Sequence, residues 1–272
     1  MSTPRILLRD AAVLDADAGT LVEGQAVLVD GDRIAETGPT ASVRGGDAQV
    51  LDAAGMTVMP GLVDAHVHVT AASADLAELG DWSPAYVTGH AYTAAAVNRG
   101  LEAGVGCIEH GNLMDGSSVE LFQRTGAFYV PTLATYAALA SEGLEHGMPA
   151  DQHAKVFEVL DAGLGALELA QAAGLPIVYG TDLLGGMHRR QLTEFTLRAQ
   201  VQPAADVLRA ATTTAARLLR LEGRVGVVAP GAFADLLVVD GNPLERLEVL
   251  TDPARHLRLV MAAGRVHRND LG

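Results

Sequence analysis

Between residues 57 and 223, short apolar runs alternate with Ala/Leu-rich helical stretches, and this alternation restricts the chain to a parallel sheet with helices packed on it. The spacing predicts strands over 57–69, 85–90, 105–110, 128–133 and 176–182. Helices are predicted over 93–102, stopped by Gly104, and from a Ser117/Glu120 capping box to Gly126. A long helical stretch through Leu167 and Ala170 and a helix over 204–221 complete the set. The flanks read differently. Residues 1–56 and 224–272 carry short β-branched or alternating runs at 6–8, 26–29, 34–35, 236–239 and 259–261, with a hairpin signal at Asp30-Gly31. Neither flank holds enough apolar surface for a core of its own. The two are therefore expected to pair into one composite β-sandwich domain, with 57–223 as a separate partial βα-barrel domain.

Length then limits the sheet. The 167 residues from 57 to 223 suffice for about five βα units, because closed eight-unit barrels run to about 250 residues and rarely to fewer than about 200. Five parallel strands cannot close on themselves. Two strand edges and much apolar interior then need a cover, which predicts a homo-oligomer.

Charge removes whole classes of partner. Lys and Arg total 19 against 33 Asp and Glu, a formal charge of −14 that repels nucleic-acid phosphates and anionic lipid, so neither nucleic acid nor membrane is an expected partner. The single cysteine, Cys107, excludes an internal disulfide and a Cys-based zinc site. With no secretory pattern in MSTPRILLRD and no run of 18 apolar residues, a cytoplasmic location is expected. Eighteen of the 19 basic residues are Arg; the one lysine is Lys155.

The chemistry gathers at predicted strand ends. In Asp64-Ala65-His66-Val67-His68 the two histidines stand one residue apart and, with a strand period of two, share a face. Three further strands end in His90, His110 and Asp182. Groups at the C-terminal ends of neighbouring parallel strands converge on one rim. Four imidazoles and a carboxylate can hold one Zn²⁺-like ion and leave a position open for water. Tyr92, Tyr136 and His188 are candidate substrate contacts, His188 with Arg189 or Arg190 for a carboxylate. Lys155 reads as a solvated helix residue, and Glu109 as pointing away from His110.

The segments PGLVDAHVH, HAYT, IEHG and GTD, with PGAFADLLVVDGNPL and VMAAGRV near the end, resemble the amidohydrolase superfamily over nearly the whole chain, specifically its imidazolonepropionase-like and Xaa-Pro or Xaa-Arg dipeptidase-like branch. The resemblance implies an α/β fold of the (β/α)8 TIM-barrel metal-dependent hydrolase type with a composite β-sandwich. It also implies hydrolysis of C–N bonds in dipeptides, N-acyl amino acids or cyclic amides. On that resemblance His66 and His68 bind a first metal with Asp182, while His90 and His110 serve a second.

The chain departs from the family in one place. Only 21 residues separate His68 from His90, where the family has strands 2–4, so the barrel is expected to be incomplete, with the join near 81–88. The family's metal-bridging lysine belongs to those strands, and no lysine lies between the two histidines. A single ion, Zn²⁺ or another divalent metal, is therefore expected. The primary reading is a hydrolase in which Asp182 moves the water's proton to the leaving nitrogen and His110 acts as a second ligand or as a donor to the oxyanion. A catalytically silent, metal-binding remnant competes with it, as does a mononuclear-metal lyase such as a decarboxylase.

Overall fold

The flanks do meet in one sheet. In the computed structural model, which describes residues 5–67 and 88–271, contacts divide the chain into a unit of Met1–Val63 with Pro203–Gly272 and a unit of Asp64–Gln202. The first unit contains β1 (Ile6–Asp15), β2 (Thr20–Asp30), β3 (Arg33–Pro39), β4 (Gln49–Asp52) and β5 (Thr57–Pro60). The second contributes β6 (Thr88–Thr93), β7 (Cys107–Leu113) and β8 (Phe128–Val130), and β9 (Leu236–Val239), β10 (Leu257–Ala262) and β11 (Arg265–Asn269) return to the first. Eight strands form a single sheet in the order β11-β10-β9-β5-β1-β2-β3, with β4 also paired to β1. The Asp30-Gly31 signal marks a hairpin: Asp30 pairs with Arg33, and Gly31 takes φ +63°. Ile6, Leu8, Val27, Val29, Leu236, Val238 and Leu259, from both flanks, fill one core.

Two expected elements are divided. The strand predicted over 57–69 splits: Thr57–Pro60 is buried in the eight-stranded sheet between β1 and β9, and Ala65 and His66 bond instead to residues 179–182. The helix predicted over 204–221 is two short helices, Ala204–Ala210 and Thr213–Leu218.

The second unit is the parallel one. β6, β7 and β8 pair in parallel in that order. The ladder continues through the predicted strand 176–182, where Tyr129 N–H donates to Pro176 O at 3.1 Å and Val178 N–H to Tyr129 O at 2.9 Å. It continues again to 64–66: Ala65 N–H donates to Tyr179 O, and the amides of Thr181 and Asp182 both donate to His66 O. Five segments thus lie side by side among the described residues, as the incomplete barrel requires. The expected join near 81–88 and the beginning of the strand predicted at 85 lie mostly outside them.

Helices cover this sheet for local reasons. α1 (Ala94–Glu102) is capped by Thr93, whose side chain accepts from Ala96 N–H, and it buries Val97 and Leu101, four residues apart. α2 (Gly116–Thr125) is capped by Asp115 rather than by the expected Ser117, since Asp115 accepts from the amides of Ser117 and Ser118. An acid outcompetes a hydroxyl there because its ionised oxygen makes the stronger bond, and the Ser117 hydroxyl, followed by the capped amides, holds the Asp115 carboxyl below its usual range. Gly126 closes α2 in the left-handed conformation. α3 (Leu133–Glu142) and α4 (Ala150–Ala172) follow, and α5 (Thr193–Arg198) completes the layer. Lys155 is exposed on α4, as expected. No helix among the described residues is long and apolar enough to cross a membrane.

Gly180 makes the closest approach in this ladder. A Cβ there would stand 2.9 Å from His66 Cβ and 2.5 Å from Val130 Cγ1. Gly180→Ala therefore pries segment 64–66 from 176–182, and it should destabilise the protein by about 1–3 kcal/mol. Denaturant unfolding of the variant, with its metal content, measures both consequences.

Candidate metal centre

Three imidazoles from three segments meet at the rim of the parallel sheet. His66, His90 and His110 each offer one ring nitrogen, and these atoms lie within 4.8 Å of one another. Ring centroids are 4.9 Å apart for His66–His90, 5.4 Å for His66–His110 and 4.9 Å for His90–His110. Asp182 joins them: Oδ1 lies 3.2 Å from His66 Nε2 and Oδ2 4.0 Å from His110 Nδ1. Of the five residues expected as ligands, four are thus brought together. The fifth, His68, lies outside the described residues.

Backbone strain sets the inward direction of these groups. His110 within β7, Thr132 just past β8 and Asp182 at the end of segment 176–182 have φ of +73°, +49° and +51°. L-residues rarely adopt this conformation, and it costs of order 1–3 kcal/mol where the surroundings enforce it. At His110 it has a second effect. His110 and Gly111 are both left-handed, and β7 carries one more residue than β6 between the pairs Ala91–His110 and Thr93–Leu113. Such a bulge breaks the two-residue alternation.

Glu109 is the residue that sequence reasoning sent the wrong way. Instead of facing away from His110, its Oε2 lies 2.8 Å from His66 Nδ1. A glycine inside a strand pattern signals a bulge, and Gly111 was that signal. Asp64 is a second missed residue. Its Oδ1 accepts from the amides of His66 and Thr181, and its Oδ2 from the Thr181 hydroxyl at 2.6 Å. Burial raises the Asp64 carboxyl above its usual range, only partly opposed by those bonds.

The electrostatics favour a cation. Burial by itself lowers the affinity of His66 for a proton, but its bonds to Asp182 and Glu109 outweigh this and raise its pKa to about 9. Two carboxylates thus hold positive charge at this ring. With Glu109 accepting the Nδ1 proton, Nε2 is left to face a metal, the carboxylate–histidine pairing common at such ligands. Three imidazoles with one carboxylate are a donor set that fits zinc or a similar divalent ion.

The candidate substrate contacts divide. Tyr92, two residues beyond His90 on the same face of β6, stacks on His110 with centroids 4.8 Å apart and planes 3° from parallel. Tyr136, in the first turns of α3, meets the His110 ring edge-on at 6.2 Å and is buried. His188 is not part of the cluster. It sits in a 3-10 turn, Gly185–Arg190, whose Arg189 and Arg190 both bind the Glu142 carboxylate at the end of α3. Those arginines hold Glu142 below the usual carboxylate range, and their pairing shows what fixes this turn.

Known proteins resemble this chain in sequence and in fold. Adenine deaminase 3 of Rhizobium johnstonii is 34% identical over 119 residues, 43% of this chain and 18% of that protein. Ochratoxinase of Aspergillus niger is 28% identical over 169 residues, 61% of this chain and 35% of its own. The chain therefore spans about a third or less of the length of these curated relatives. A crystal structure of a prolidase complexed with N-methylphosphonate-L-proline superposes with a TM-score of 0.88 at 29% identity, covering 97% of this chain and 100% of that one. The Amidohydrolase family model matches residues 75–266, more than half of the sequence. This chain belongs to the amidohydrolase family.

Proposed function

We propose that this protein is a metal-dependent hydrolase of C–N bonds in small amides, with dipeptides, N-acyl amino acids and cyclic amides as the substrate class. The observation that carries the reading is the convergence of His66, His90 and His110 beside Asp182, with the Glu109 carboxylate 2.8 Å from His66 Nδ1. These four residues would hold one divalent ion, zinc being the first candidate, and sequence position alone adds His68 to the set. When bound, such an ion polarises a scissile carbonyl and lowers the pKa of a water toward neutrality. The names of the relatives support the substrate class: a prolidase with a proline phosphonate bound, and an N-substituted formamide deformylase of Arthrobacter pascens.

The chain's own residues have separate tasks in this reading. Asp182, with one oxygen on His66 Nε2 and the other 4.0 Å from His110, accepts the proton of the attacking water and passes it to the leaving nitrogen. Glu109 keeps the Nδ1 proton of His66 and so orients its ring. His110 serves as a ligand or as a donor to the developing oxyanion. Tyr92 and Tyr136 wall the space beside it.

A second reading, a metal-binding remnant without turnover, draws support from the five paired segments and from the sole lysine lying out on α4. Metal content measured with release of amine from a dipeptide and N-acyl amino acid panel separates the two. Turnover with near-stoichiometric metal excludes the remnant, and metal without turnover favours it. Release of CO₂ in place of amine would indicate a lyase. We also propose a homo-oligomer as the cover for the open sheet, with size-exclusion chromatography expected to give a mass above 28.2 kDa.

Asp182→Asn tests the proton step. Asn tolerates the left-handed backbone, so the fold should persist while kcat falls about 10²–10⁴-fold. Equal turnover by the variant would overturn the assignment. The metal-free protein should also respond to pH in a defined direction. His66 binds its proton more tightly folded than unfolded, so its contribution to stability is fully present below pH 6.5 and is lost as pH rises toward about 9. Chelated protein should therefore melt progressively lower across that range. Cation binding near neutral pH should release a proton, detectable by calorimetry in buffers of different ionisation enthalpy.

A further inference from the structure

Thr132 stands at the N-cap of α3, where a threonine hydroxyl ordinarily accepts from the second or third amide of the helix. Here it makes no such bond. Its Oγ1 instead lies 2.9 Å from His110 Nδ1, and both residues are essentially inaccessible to solvent. The capping role has passed to Glu194, 60 residues further on, whose Oε2 accepts from Ala134 N–H at 2.7 Å. Glu194 is fully buried and is paired at 2.7 Å with an equally buried Arg198 on the next turn of α5. Arg198 in turn donates through Nη2 to Val178 O at 2.6 Å, on the segment that ends in Asp182. A buried acid thus does the work of the cap, and the hydroxyl is left for the imidazole.

We propose that Thr132 is a positioning residue for the metal centre, acting by holding the proton of His110 on Nδ1 so that Nε2 presents its lone pair to the ion. The inference rests on the metal-dependent reading above and deepens it. His110 Nε2 lies 2.9 Å from His90 Nδ1, the direction in which the ring nitrogens gather. A lone pair on Nε2 requires the proton on Nδ1, and Thr132 Oγ1 is an acceptor at 2.9 Å from that nitrogen, closer than Asp182 Oδ2 at 4.0 Å. The left-handed φ of +49° at Thr132 is the strain accepted to aim this hydroxyl at the ring.

Thr132→Val keeps the β-branched shape and removes the acceptor, and Thr132→Ser keeps the acceptor. In the metal-free protein, ¹⁵N-detected imidazole spectra should show His110 as the Nδ1–H tautomer in wild type and T132S, and as a mixture or the Nε2–H form in T132V. Zinc affinity, measured by chelator competition, should fall about 10–100-fold in T132V and stay within about threefold of wild type in T132S. Because the hydroxyl caps no amide, T132V should unfold cooperatively with α3 intact by circular dichroism. An unchanged His110 spectrum in T132V, or unchanged zinc affinity with wild-type binding present, overturns the proposal. If wild type itself binds no metal, the metal-dependent reading fails, and the tautomer spectra still decide the role of Thr132.

Discussion

The arrangement depends on the parallel pairing of residues 64–66 with 179–182. Thr181 and Asp64 are 117 positions apart, yet both the amide and the hydroxyl of Thr181 bond to the Asp64 carboxylate, while His66 O receives the amides of Thr181 and Asp182. This junction lays the segment that carries His66 beside the one that ends in Asp182. Closing so long a loop costs entropy that only grows slowly with length, and buried backbone bonds together with a buried, bonded carboxylate offset it. Without this junction, His66 has no fixed relation to Asp182, and the positive charge held at His66 loses one of its two anionic partners.

Polar groups, more than apolar packing, fix the rim. Glu109, His110, Thr132, Glu194 and Arg198 are all buried, and each finds its partner among the others or at His66. An apolar core tolerates exchange of similar volumes, whereas a buried charge tolerates little: removing one member of a buried ion pair costs about 3–5 kcal/mol. Burial pushes the Glu194 carboxyl upward against the pull of Arg198, which shows how closely desolvation and pairing are balanced there. Specific geometry, rather than net stability, is what such a network supplies.

Much of this was legible in the order of residues. The βα alternation, the pairing of the two flanks, and the gathering of His66, His90, His110 and Asp182 follow from periodicity and from the rule that parallel strands present their C-terminal ends at one rim. What escaped were the local exceptions. Glu109 was misdirected because alternation holds only while φ stays negative, and His110 and Gly111 do not comply. Asp64 and Glu194 were missed because their bonds span 117 and 60 residues, separations at which no periodic signal operates. Asp115 displaced Ser117 as a cap because propensity ranks residue types but does not choose between neighbours.

The three left-handed residues at the rim carry an implication for how such a protein can change. At His110, Thr132 and Asp182 the side chain that forms the candidate centre stands where the backbone conformation would favour glycine. Selection for heat tolerance alone would therefore erode the centre at these positions first, trading its side chains for a more relaxed chain. Their retention in a lineage would record demand for the site, not for durability.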